Sequence, residues 1–167
     1  MNVTNLKNIF QETLDEILLE KKTKGAFIAP KHKGMILLMR RSKDGSWGLP
    51  GGKLEKREGI LAGAKRETAE ETNMIFPKKN LSKIAKVKGR NKNIHLFTTK
   101  AIKKLPYFEM NQEHFDAGFF KIKDLKDIIR KNTKKISLRD EEGNPVETIK
   151  RKHFKLHKPA KLFVLNY

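Results

Sequence analysis

The chain contains no cysteine among its 167 residues, so disulfide staples and thiolate metal sites are excluded and an intracellular, cytoplasmic home is allowed. No apolar run is long enough to cross a bilayer. Residues 1–20 lack the basic start and apolar centre of a signal peptide, so the expectation is a soluble protein with no membrane partner. There is no internal repeat and no low-complexity linker. The length suits one domain with a full hydrophobic core and is short for two.

Acidic residues are also scarce, 19 against 38 Lys and Arg, which leaves a formal net charge of +19. Such an excess concentrates polyanions such as nucleotides or RNA near the surface. A lysine-heavy composition, with abundant Asn and Ile, is equally what an AT-rich genome produces. Between Lys78 and Lys104 there are ten basic residues and no acidic one. That stretch reads as a hairpin, Ile84 to Lys88 and Ile94 to Ile102, which either borders an anionic ligand or is a solvated face. Aromatics that could read bases are sparse in it. His95, alternating with apolar neighbours, reads as a strand residue.

The most informative stretch runs from Gly51 to Met74. It reads as a glycine turn, a short loop and one helix. Residues three and four apart are neighbours on a helix surface, so Glu67, Glu70 and Glu71 fall on one face, with Arg66 beside them and Glu58 just ahead. Carboxylates packed so closely repel each other, and a hard divalent cation with oxygen ligands converts that repulsion into binding.

In this stretch the chain resembles the Nudix hydrolases. Their signature is Gly, five residues, Glu, seven residues, Arg-Glu, an aliphatic, any residue, Glu-Glu, any residue, Gly and an aliphatic. Gly52, Glu58, Arg66-Glu67, Glu70-Glu71 and Met74 stand in that register. Two positions depart. Thr68 replaces an aliphatic but keeps a methyl for the inner face alongside Leu61 and Ala64. Asn73 replaces a glycine, and asparagine is the second choice for a left-handed residue that ends a helix.

The resemblance implies an α/β (α+β) fold, an α/β/α sandwich around a mixed β-sheet. It implies one domain over 1–167, with an added N-terminal helix at about 4–22 and a basic C-terminal extension at about 132–167. The N-terminal helix carries Leu6, Phe10, Leu14, Ile17 and Leu18 on a helical period, to pack across the sheet or to form a dimer contact. The implied cofactor is Mg2+, with Mn2+ as a substitute. It would be held by Glu67, Glu70, Glu71 and the Gly51 carbonyl, with Arg66 orienting the carboxylates through Glu58. A further loop glutamate, Glu113 or Glu109, would assist the attacking water. Arg41, with Arg40 as alternative, would meet substrate phosphates.

Outside that stretch, Gly25 to Pro30 and Met35 to Arg41 read as consecutive strands of a sheet around a Lys-His-Lys-Gly turn. Ile75 and Phe76 read as the start of another strand. Ala117 to Leu125 resembles the family's closing strand with its Asp-Leu entry to a final helix, Leu125 to Lys131. Ile136 to Arg139 and Val146 to Lys150 flank a good turn, and Leu162 to Leu165 reads as a short strand. The run from Lys150 to Lys158 reads as a basic connector or an RNA contact. Trp47 is either a packing anchor or a base-stacking ring.

The activity implied is cleavage of a pyrophosphate bond in a nucleoside triphosphate or nucleoside diphosphate derivative by a monomer or homodimer. RNA 5′-pyrophosphohydrolase is the main variant, since Arg40-Arg41, Trp47 and Phe115-Asp116 are similar to members that trim RNA ends. A catalytically silent domain that binds RNA or nucleotide is the other alternative, and the full set of box carboxylates argues against it.

Overall fold

The computed structural model describes Gln11, residues 23–89, 92–100 and 112–167. The N-terminal helix and Glu109 lie outside the described residues. Two sheets form the centre. The first has the strand order β5-β1-β7-β6, from β1 (Thr23–Ala29), β5 (Gly51–Lys53), β6 (Leu81–Lys88) and β7 (Lys92–Thr99). It is mixed, because β1 runs parallel to β7 while β5 and β6 join antiparallel. The second is antiparallel and ordered β10-β9-β8-β3-β2, from β2 (Lys31–His32), β3 (Met35–Arg41), β8 (His114–Lys121), β9 (Lys135–Arg139) and β10 (Pro145–Lys150). Short β4 (Trp47–Gly48) pairs with β3.

Three helices are described: α1 (Ile60–Thr72), α2 (Ile122–Ile129) and α3 (Lys158–Asn166). Strand periodicity assigns each helix its face. Ala26 and Ile28 of β1, with Met35 and Leu37 of β3, join Leu54, Ala64 and Phe119 in one core cluster on the α1 side. Their neighbours Phe27, Ala29, Ile36 and Leu38 join Leu125, Ile128, Phe163 and Val164 in the other, on the α2 and α3 side. The layers are therefore helix, sheet, helix, as the resemblance implied.

Several elements differ from the sequence expectation. β1 and β3 are consecutive but lie in different sheets, and only the two-residue β2 makes the hairpin with β3. Pro30 breaks the run, since it has no N–H to continue a ladder, and its carbonyl accepts from Leu37 N–H at 3.0 Å. Ile75 and Phe76 form no strand; Phe76 is buried while Ile75 is exposed, and Pro77 stops the segment. The closing strand ends at Lys121, and α2 starts at Ile122 rather than at Leu125, with Asp124 in its first turn, where an acid suits the helix dipole. Nor is α2 the last helix. Residues Leu162 to Leu165 are helical within α3, which has a proline in its first turn, a position where the missing N–H costs nothing.

Both departures in the glutamate-rich stretch find a physical reason. Thr68 is fully buried on the inner face of α1, its methyl filling an aliphatic's place and its hydroxyl finding no partner among the described residues. Asn73 adopts φ 56° and ψ 5°, the left-handed residue that closes α1, and its N–H donates to the Ala69 carbonyl at 2.8 Å.

Candidate active site

β5 and α1 build the acidic wall of an open pocket of about 660 Å3. Gly51 sits at φ 133°, where a side chain would be strained. A Cβ there would lie 2.3 Å from the Ala26 carbonyl oxygen, so only glycine lets β5 lie this close to β1. Gly52 does the same for the acid behind it, because a Cβ would lie 2.3 Å from Oε2 of Glu67. The two glycines thus bring extended backbone against the helix that carries the carboxylates.

Glu71 is buried at the pocket, and its Oε2 accepts from the Gly51 N–H at 2.8 Å. Burial pushes its carboxyl up to about 8, the Gly51 N–H opposes that rise, and repulsion from Glu67 and Glu113 adds to it. Burial also raises Glu67, against the pull of Arg66. Arg66 grips Glu58 with two donors, Nε to Oε1 at 2.8 Å and Nη2 to Oε2 at 3.0 Å, the fork geometry that suits a carboxylate. Those bonds hold Glu58 down at about 2. The remaining Nη1 reaches Glu67 Oε1 and Glu70 Oε2, each at 3.0 Å. Glu70 is largely exposed and stands outside the pocket lining, while Glu67 and Glu71 line it together with Glu113.

Opposite in charge to these acids, Arg41, Lys43, Lys53 and Lys92 line the same pocket, with Phe27, His114 and His157. A bulge in the β3–β8 pairing falls between Arg40 and Arg41, and such a bulge re-aims the side chains it separates. Arg41 reaches the pocket. Arg40 does not; its guanidinium lies 4.8 Å from the centre of the Phe115 ring and 6.0 Å from that of Trp47. Trp47 itself is a packing anchor, buried edge-on to Phe120 at 5.0 Å and stacked with Phe154. His95 is a buried strand residue of β7.

Sequence reasoning missed Lys43, Lys53, His114 and His157, and it left Lys92, within the basic hairpin, between a ligand border and a solvated face; the structure brings it into the pocket. The lysines carried no signal above a lysine-rich background. His157 arrives from more than a hundred residues downstream of the strand it joins, a pairing that no local pattern reveals.

Does a divalent cation suit this donor set? Among the described residues no three acidic or imidazole side chains meet as a ready-made metal cage. The chemistry nevertheless fits. All the acids offer hard oxygen, and two of them, Glu67 and Glu71, are raised by burial and by repulsion from neighbouring acids, Glu70 and Glu113 for the first and Glu67 and Glu113 for the second, which a cation relieves. Glu67 and Glu71 are the pocket-lining side chains of the helix that could hold it, with Glu70 beside Glu67 on Arg66 and the backbone at Gly51 adjoining.

The family model described as NUDIX domain matches residues 21–142, nearly three quarters of the chain. The chain belongs to the Nudix hydrolase family. Solved structures share its fold. A MutT NUDIX hydrolase from Burkholderia pseudomallei superposes with a TM-score of 0.59 at 19% identity, over 88% of this chain and 98% of that one. The E. coli ORF135 protein gives 0.57 at 16% identity, over 89% of each. A MutT/nudix family protein from Enterococcus faecalis gives 0.54 at 17% identity over 72% of this chain, which spans 56% of that protein's length. No curated protein matches the chain significantly. Among the described residues of this Nudix chain, no helix is long and apolar enough to cross a membrane.

Proposed function

We propose that the chain is a pyrophosphohydrolase, dependent on Mg2+ or Mn2+, that cleaves a nucleoside triphosphate or a nucleoside diphosphate derivative. The observation that carries this reading is one pocket with Glu67, Glu71 and Glu113 facing the same space as Arg41, Lys43, Lys53 and Lys92. A diphosphate needs both: cations for its oxygens, and carboxylates to hold the metal and receive a proton. When bound at Glu67, Glu70 and Glu71, the metal supplies neutralising charge and Lewis acidity.

The chain's own residues do the rest. Arg41 and the pocket lysines bind phosphate oxygens and fix the diphosphate in line for attack. Glu113 is the group we assign to take the proton of the attacking water. Arg66, locked on Glu58, keeps Glu67 and Glu70 oriented and takes no part in the chemistry. The whole chain is read as one domain acting in the cytoplasm as a monomer or homodimer.

An RNA 5′ end is the second substrate reading. It is favoured by Arg40 lying over the half-exposed ring of Phe115, two residues from the pocket residue Glu113, a surface on which a base can stack. The deciding experiment is a substrate panel of NTPs, oxidised dNTPs, ADP-ribose, NADH, dinucleoside polyphosphates and 5′-triphosphate RNA, with Mg2+, with Mn2+ and with chelator. Chelator-sensitive cleavage of a small nucleotide is the expected result, read as pyrophosphate or phosphate from a triphosphate and as a pair of monophosphates from a diphosphate derivative. Faster turnover of the RNA would move the assignment to RNA ends, and no cleavage of any substrate would leave a silent binding module.

A further inference from the structure

The pocket wall around Arg41 is completed by a segment that lies beyond the matched family region, residues 21–142. Residues 155–157 run beside β4: Trp47 N–H donates to the Lys155 carbonyl at 2.8 Å, and His157 N–H donates to the Trp47 carbonyl at 2.8 Å. This short parallel bridge fixes the backbone of His157. Its ring is fixed as well, edge-on to Phe27 with centroids 6.4 Å apart. The pocket is lined by Phe27, Arg41 and His157 together.

Nη1 of Arg41 points at Nε2 of His157 at 2.5 Å. A guanidinium has only donors, so the contact requires an unprotonated Nε2 and places the ring proton on Nδ1. We propose that His157 is a positioning residue, which holds the Arg41 guanidinium at the pocket wall in the orientation that receives a phosphate group. The proposal rests on the reading of this pocket as a pyrophosphate site.

The choice of an imidazole has a physical logic. A carboxylate in its place would fix the arginine equally well but would cancel the charge a phosphate needs. A neutral imidazole accepts one N–H and leaves the positive charge and the remaining donors of the five for the ligand. Burial keeps His157 unprotonated, lowering it to about 4, with Arg41, Lys92 and Lys155 pushing the same way and Asp44 opposing them. Arg41 would otherwise be a long side chain at a strand end, free to sample rotamers that a bound phosphate must then freeze.

The test uses inorganic pyrophosphate as probe, titrated calorimetrically into the full chain in metal-free buffer, so it reads the cationic wall without needing turnover. His157→Phe keeps a ring against Phe27 and removes the acceptor, and binding is expected to weaken by about tenfold. His157→Gln, whose amide oxygen restores an acceptor, is expected to stay within about threefold of the parent. In Arg41→Gln, adding His157→Phe is expected to cost nothing further, because the histidine acts through the arginine. His157→Leu replaces the Phe variant if that one fails to fold. Unchanged binding in the acceptor-less variant, no rescue by Gln, additive losses in the double variant, or no pyrophosphate binding by the parent would each overturn the proposal. A parent that binds pyrophosphate and shows these effects yet hydrolyses nothing in the substrate panel would sink the hydrolase reading alone.

Discussion

Glu71→Gln is expected to make the metal-free protein more stable at pH 8 and at the same time to abolish its activity. The side chain is buried, and its carboxyl is raised from 4.5 to about 8, mainly by that burial. A raised folded-state pKa means the protonated form is the one the fold favours. The stability it contributes is fully present below the unfolded value near 4.5 and is lost as pH rises through about 8. Glutamine imitates the protonated acid at every pH and keeps an oxygen to accept the Gly51 N–H. The melting temperature of the variant should therefore exceed that of the parent by about 5 °C at pH 8, with the gap closing towards pH 4.5. Turnover should fall by at least about a hundredfold, because a neutral amide is a poor partner for a hard divalent cation. Thermal melts at a series of pH values, paired with substrate cleavage, check both halves. A variant no more stable than the parent at pH 8 would show that the buried carboxylate carries no such cost.

Glu70→Gln separates function from stability in the other direction. Glu70 is largely exposed and its ion pair with Arg66 is a surface contact, a kind worth little to the fold. Arg66 also retains both bonds to Glu58 and its contact with Glu67. The melting temperature is expected to stay within about 1 °C, while turnover with Mg2+ drops by at least about a hundredfold. The geometry behind this is the shared nitrogen: Glu67 and Glu70 both reach Nη1 of Arg66, so the exposed acid stands beside one that lines the pocket. Parent-level turnover would refute the assignment of Glu70 to the metal-holding set.

Much of this site was legible in the sequence, because its parts are local. Glu58, Arg66, Glu67 and Glu70 are separated by spacings that a helix and its leading loop convert directly into neighbours, and Asn73 announces the helix end. The single face expected for Glu67, Glu70 and Glu71 divides, however, with Glu71 buried at the pocket and Glu70 exposed outside its lining. The Gly51-Gly52 pair was legible as permissive backbone. What could not be read is long-range. Arg40 and Arg41 are identical in type and adjacent in sequence, and only the bulge against β8 decides which enters the pocket. Lys92 and His157 reach it through pairings with β1 and β4 that leave no local trace. The misread C-terminal strand has a different cause. Four consecutive apolar residues fit a strand or a helix equally, and the decisive signal was Pro159 in the first turn of α3, upstream of the run. The split of β1 and β3 into two sheets came from Pro30, whose lost donor matters only once the neighbouring strand is known.

If the pocket is a pyrophosphate site, the end of one helix binds divalent cations through its carboxylates within reach of the cationic wall. The most direct measurement of this is Mn2+ binding at pH 8, followed by electron paramagnetic resonance, for the parent and for Glu67→Gln. Saturable binding by the parent, weakened by at least about tenfold in the variant, is what the account predicts. A parent that binds no Mn2+, or a variant that binds it as tightly as the parent, would contradict it.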